Sequence, residues 1–600
     1  MKKIVKYIKK GINYIKKYGF IEGLRKIRRK IVIFKTYSKF NDNYKDWIYN
    51  NEPKESEIKK QEKFKFKYEP KISILIPMYN TNEIFFKELI ESLKAQTYKN
   101  FEVCLADGSQ VENKELEKYF SDDNRFKYKH LSENKGISEN TNAALDMATG
   151  EFIALVDHDD TLPCFALYEV VKIINDNPDV EFIYSDEDIL DAKHERKNPY
   201  FKPDFSPDTL RSSNYICHLS VLKKTLIDEI GKFRAEFDGA QDYDMILRAT
   251  EKAKLIVHIP KILYHWRAHE NSTSQNTDSK SYAFIAGKKA IEEQLKRLNI
   301  KGNVELLETP GTYKVNYEVI NNPLVSIIIP NKDSIQDLNK CISSVLKSTY
   351  NNYEIIIVEN NSENKETFDF YNKLEENNKN VHVVKYEEKG FNFSKINNFG
   401  RKFAKGEYIL LLNNDVEVIN ENWIEEMLGI CQQKNVGIVG AKLLYPDNSV
   451  QHAGVIIGIG GVAGHIHKNI KDSDPGYFSR AVIVNNFSAV TAACLLVKTN
   501  IFDEVGGLDE TLEVAFNDVD FCMKVRNKGY LVVYTPFAKL HHFESKSRGN
   551  EDTKEKKNRF SNEIDRFKEK WQEELEKGDP YFNKNFRLDD YLFVIDINKK

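Results

Sequence analysis

The chain has 600 residues, 41% hydrophobic and 30% charged, a balance that supplies several buried cores and excludes a disordered or low-complexity protein. Its 89 basic residues are offset by 91 acidic ones to a formal net charge of -2, so the whole protein is no polyanion binder and nucleic acid is not expected as a partner. Seven scattered cysteines with no CxxC pair exclude a disulfide framework or a zinc centre, and most lie in apolar runs where a small buried side chain fits.

Residues 1–69 read as a basic helical N-terminal region. Between Met1 and Phe40, fourteen Lys or Arg stand against one acid, Glu22, and Ile4, Ile8, Ile12 and Ile15 recur at helical spacing. Such a helix either lies on an anionic membrane surface, where each Lys contributes about 1 kcal/mol, or docks on the first domain with its lysines in water. No apolar run reaches membrane-spanning length and Ile31 to Phe34 is too short for a signal-peptide core, so a cytoplasmic protein is expected, with peripheral attachment at the inner face of the cell membrane as the further option.

From residue 70 to 280 apolar strands alternate with helical segments such as Glu83 to Gln96 and Ser138 to Ala148, which predicts a parallel sheet covered on both faces. A linker with a helix over Ala283 to Leu298 fills 281–322. Over 323–550 the same order of elements returns: Ser73-Ile74-Leu75-Ile76-Pro77 matches Ser326-Ile327-Ile328-Ile329-Pro330, and Asn142, Gly150 and Asp159 match Asn398, Gly406 and Asp415. Residues 551–600 read as a charged, solvated helix and a tail. The fold class is therefore α/β, with two tandem Rossmann-like domains of mostly parallel sheet.

The chemistry gathers at strand ends, where a doubly wound sheet opens its ligand crevice. Asp157-His158-Asp159 closes the run Phe152 to Val156, and Asn413-Asn414-Asp415 closes Tyr408 to Leu412 with one carboxylate fewer. Carboxylates there suit a hard divalent cation, Mg2+ or Mn2+, which neutralises the leaving diphosphate of a nucleotide sugar. Asp107, ending the second strand, is placed to accept the imide N–H of a uracil or thymine, and Glu359 occupies that point in the second copy. The turns after Pro77 and Pro330, with Tyr79 in the first, are candidate covers for the nucleotide. Lys135 in the first copy, and Lys395 with Asn398 in the second, are candidate donor contacts near the diphosphate.

These patterns, with Gly440-Ala441-Lys442-Leu443-Leu444-Tyr445-Pro446-Asp447, Gln451-His452-Ala453-Gly454 and Phe516-Asn517-Asp518-Val519-Asp520, resemble family 2 glycosyltransferases of the GT-A fold, in the bacterial branch that builds surface polysaccharides such as O-antigens and rhamnans. The resemblance covers about Ile72 to Gly549. It implies an inverting enzyme with one general base per domain, Asp242 and Asp518. It also implies metal ligands Asp159 and His265 in the first copy and Asp415 and His542 in the second, with His541 as the alternative to His542, and donor contacts that include Asp157 and Asn414. The expected partners are UDP- or dTDP-linked sugars and a glycan or lipid-linked acceptor. The expected function is a bifunctional transferase; the alternative keeps one active domain and makes the second an acceptor-binding or structural module.

Overall fold

The computed structural model describes residues 40–268, 281–544 and 553–598. The basic amphipathic segment expected before Phe40 lies outside the described residues, which begin with a helix over 40–51. Among the described residues, no helix is long and apolar enough to cross a membrane.

Each copy is built around a central strand that its sequence makes apolar on both faces. In the first, Ile72–Met78 is flanked in parallel by Phe101–Asp107 and Phe152–Leu155, and Phe126–His130 extends the first edge. On the other side, Ser220–Lys223 runs antiparallel to Phe152–Leu155 and joins it to Phe182–Leu190, which pairs in parallel with Ile256–Arg267. The second copy repeats the order around Val325–Asn331, with Tyr353–Glu359, Val381–Lys385, Tyr408–Leu412, Cys494–Lys498, Val436–Leu444 and Leu531–His542. Ile72, Ile74, Leu75 and Ile76, like Val325, Ile327, Ile328 and Ile329, have no exposed surface, as strands sandwiched between helices require. Burying each such side chain contributes about 2 kcal/mol.

One polar residue interrupts each central strand, and both copies satisfy it the same way. Ser73 donates its hydroxyl to Glu102 at 2.6 Å and accepts the N–H of Gly150 at 2.8 Å; Ser326 donates to Glu354 at 2.6 Å and accepts from Gly406 at 2.8 Å. A Cβ on either glycine would meet a backbone carbonyl at 2.6 Å. The repeat therefore extends to a buried hydrogen-bond network whose loss would leave an ionisable group stranded.

The segments outside the sheets tie the copies together. The linker helix Ser281–Arg297 packs on the helix Gln241–Lys252, where Arg297 pairs with Glu251 at 2.7 Å, and Gly302–Leu306 pairs with Tyr313–Tyr317 as a hairpin. The C-terminal helix Lys554–Lys570 departs from its expected solvated character: Phe567 is fully buried, and the following Trp571 donates its indole N–H to Asp520 at 2.8 Å. Beyond Pro580, Phe582, Phe586 and Phe593 pack with Tyr477 of the second copy and Phe201 of the first in one core cluster. Asn583 reaches the buried Asp186 of the first copy at 2.9 Å.

Candidate active site

The C-terminal strand ends of the first copy open into a cavity of about 1080 Å3. Pro77, Asp157, Asp242, His218 and Trp266 are on its walls. Asp242 and Asp244 both open the helix Gln241–Lys252, but they do different things. Asp244 is fully buried and bound by Arg234 and by Arg248 at 2.8 Å; these guanidiniums outweigh its burial and hold its carboxyl below the usual range. Asp242 faces the cavity and accepts from the Asn214 amide at 2.9 Å and from the Cys217 thiol at 3.9 Å. The second copy divides its pair alike: Asp520 is fully buried against Lys570 and Trp571, while Asp518 accepts the N–H of Ala492 at 3.2 Å. Of each acidic pair, the second carboxylate is committed to a buried ion pair and, among the described residues, the first is not.

The side chains that could share a metal ion overlap only partly with those expected from the strand-end motif. Among the described residues, the one group of three or more acidic, His or Cys side chains close enough to share an ion is Asp157, Asp160 and His218, their ligand atoms within 4.8 Å of one another. Burial raises the Asp157 carboxyl, with Asp159 and Asp242 adding to the rise and His218 opposing it. Asp160, also lifted well above the carboxylate range by burial, accepts the Tyr264 hydroxyl at 2.5 Å and the Arg267 N–H at 2.7 Å. A divalent cation would relieve this crowding of acids, and two carboxylates with one imidazole fit Mn2+ or Mg2+.

Asp159 and His265, the expected ligands, are outside that group. His265 instead places Nδ1 2.6 Å from Asp188, whose other oxygen takes Tyr44 at 2.5 Å and Arg196 at 2.6 Å. The physical reason is strand alternation: neighbouring residues of Ile256–Arg267 point to opposite faces, and it is Trp266 that lines the cavity.

In the second copy His542 is the histidine beside the strand-end motif. Its Nε2 lies 3.3 Å from Asp415 and 3.2 Å from the Asn413 amide, and Gln451 holds Nδ1 at 2.6 Å, whereas His541 turns to Asn448. Strand pairing sets His541 opposite Glu417 and His265 opposite Thr161, so His265 and His541 are the equivalent pair, and Trp266 stands where the second copy has His542. His218 in turn aligns with Ala493.

The donor candidates separate as well. Asp107 is buried, accepting from Ser109 at 2.5 Å and Tyr128 at 3.1 Å. Glu359 accepts the Ser362 N–H, but its buried Oε2 has no hydrogen-bond partner among the described residues. Asn414 donates to Asn331 at 2.6 Å, beside Pro330 at the end of the central strand. Tyr79 is 42% exposed. Lys135 lies on the surface 3.8 Å from Glu133, and Lys395 pairs with Glu388 at 2.9 Å. Asn398 differs from its expected role: its amide brackets both backbone groups of Leu508 at 2.9 Å, as Asn142 brackets those of Phe233. This repeated asparagine straps down the chain ahead of the Asp242 and Asp518 helices.

His218, Asn214 and Trp266 were not legible from the repeat, because motif comparison finds what both copies share. Cys217-His218-Leu219 faces Ala492-Ala493-Cys494 in the second copy, and no spacing marks it.

Residues 73–231 and 326–489 each match the model of Glycosyl transferase family 2. A Sinorhizobium fredii protein, y4gI, is 43% identical over 534 residues, covering 88% of this chain and 58% of that protein. The O-antigen biosynthesis protein RfbC of Myxococcus xanthus is 33% identical over 554 residues, covering 91% of this chain and 42% of that one. The chain thus spans 58% and 42% of these two relatives. The crystal structure of S. aureus TarS 1–349 aligns over 38% of this chain and 72% of its own, with 19% identity and a TM-score of 0.30.

Proposed function

The chain belongs to glycosyl transferase family 2, and from that premise we propose that it moves sugars from nucleoside-diphosphate donors, UDP- or dTDP-linked, onto a growing surface glycan, with an inverting site in each copy. The observation that carries this is the paired division of acids: Asp242 and Asp518 stand at the sites while Asp244 and Asp520 are locked in the cores. In each site the first carboxylate takes the proton of the acceptor hydroxyl as that oxygen bonds to the anomeric carbon. The bond from that carbon to the diphosphate oxygen breaks on the opposite face, and its electron pair leaves with the nucleotide.

Asp157, Asp160 and His218 would hold a divalent cation in the first copy, and Asp415 with His542 in the second. When bound, the ion supplies charge neutralisation for the departing diphosphate. Asp107 and Glu359 orient the base, the free Oε2 of Glu359 being suited to an imide N–H. The O-antigen role named for the Myxococcus relative supports a polysaccharide acceptor.

The test is transfer by the full chain from a panel of UDP- and dTDP-sugars, with Asp242→Asn and Asp518→Asn made separately. Each is expected to abolish one linkage in the product; full activity of both variants would overturn the assignment. A second reading, in which the second copy only positions the acceptor, is favoured by Asn413 in place of Asp157 and Ala493 in place of His218. It predicts that Asp518→Asn leaves every linkage intact.

A further inference from the structure

The cavity of the first copy is not closed by the first copy. Phe478 and Ser479, from the second, form part of its wall, together with Tyr200, Asp242 and Trp266 of the first. The loop that carries them is firmly held. Tyr477 accepts the Phe201 N–H at 2.9 Å, donates to the Pro199 carbonyl at 3.1 Å and stacks on Phe593, while Arg480 binds the Tyr581 carbonyl at 2.8 Å. The buried Lys442 fixes the neighbouring Ala481 carbonyl at 3.2 Å.

Between these anchors Phe478 and Ser479 adopt φ of 44° and 67°, a left-handed backbone that a side-chain-bearing residue takes only when its surroundings impose it. The result is a ring with one face on Tyr200, at a centroid distance of 3.6 Å and 6° between planes, and 43% of its surface exposed. A large apolar side chain held rigidly into a polar-rimmed cavity marks a ligand contact, and an aromatic face suits the C–H face of a pyranose.

We infer that Phe478 is an acceptor-binding residue of the first copy's reaction, supplied by the second copy, on which the acceptor's terminal pyranose stacks while its hydroxyl is presented to Asp242. This rests on the reading of Asp242 as the first copy's base. The acceptor preference of the first reaction is then encoded partly in the second copy, whatever the second copy's own activity.

The experiment uses the full chain carrying Asp518→Asn, a nucleotide sugar it accepts, and a panel of short pyranose oligosaccharides as acceptors. Phe478→Ala is expected to raise the acceptor KM at least tenfold while the donor KM and the rate of donor hydrolysis stay constant, and Phe478→Trp to restore the acceptor KM. Phe478→Leu, which keeps apolar bulk without a ring, should fall between them and serves if the alanine variant melts early. An acceptor KM unchanged in any folded ring-less variant overturns the inference. If Asp242→Asn in the same background leaves transfer intact, the underlying assignment of the base fails instead.

Discussion

The two copies share a central scaffold, to which the second adds strands of its own, and differ where the chemistry would occur. Both have the Ser–Glu–Gly network under the central strand, the asparagine strap and the split acidic pair. Among the described residues, only the first gathers two carboxylates and a histidine. The second offers Asp415 and His542, with amides at Asn413, Asn414 and Gln451 around them. Duplication preserved what folding needs, and left each site free to change its charge.

The comparison breaks most sharply at the two proposed bases. Asp242→Asn and Asp518→Asn should each lower its own reaction by about 10²–10⁴-fold, the usual worth of a positioned general base, read as the rate of each linkage formed. Unequal losses would rank the two sites.

Metal dependence comes next. Asn413→Asp with Ala493→His gives the second copy the acid and imidazole of the first, and its affinity for Mn2+ should rise about 10–100-fold by calorimetry, since a missing ligand costs at least what a lost supporting contact does. Before that change, the second reaction should be the one that fails first as metal is withdrawn.

Gly150→Ala and Gly406→Ala sharpen the similarity instead. Both force a methyl against backbone, and each should cost about 1–3 kcal/mol in denaturant unfolding, by similar amounts. Glu359→Gln probes the base pocket. With its oxygen kept by the Ser362 N–H, the new amide turns a donor toward the nucleobase, and UDP binding to the second copy should weaken about tenfold, the worth of a charged hydrogen bond.

The smallest difference is a pH effect. Burial pushes Glu102 up, but Lys127, Ser73 and Thr149 outweigh it and bring the carboxyl down to about 2. Its contribution is therefore present above the ordinary glutamate value and lost as pH falls toward 2. Glu102→Gln should flatten acid unfolding of the first copy over that window in a thermal-melt series. In the second copy His382 fills the register position of Lys127.

The scaffold was legible because its signals are local or repeated: apolar runs ending at Pro77 and Pro330, glycines at 150 and 406, and acids opening two helices. The ligand set was less so. His265 lies at the right distance along the chain, yet strand alternation turns it toward Asp188 and brings Trp266 to the cavity. His218 belongs to one copy alone, so the repeat conceals it. The second copy's part in the first cavity, through Phe478, depends on how the copies dock, which no motif spells out.

The contact of Asn583 with Asp186 also has a temporal side. The two residues are 397 positions apart, and the asparagine amide meets both oxygens of a buried acid, at 2.9 and 3.2 Å, and the Lys202 carbonyl at 2.9 Å. A ribosome adding 5–20 residues per second needs roughly 20–80 s to travel from one to the other. Throughout that interval the nascent first copy has His258 and the Lys202 N–H, each at 2.8 Å, to hold the Asp186 carboxylate, without the asparagine that completes its shell. Completion of the hydrogen bonding around Asp186 therefore waits on a segment made much later in the chain.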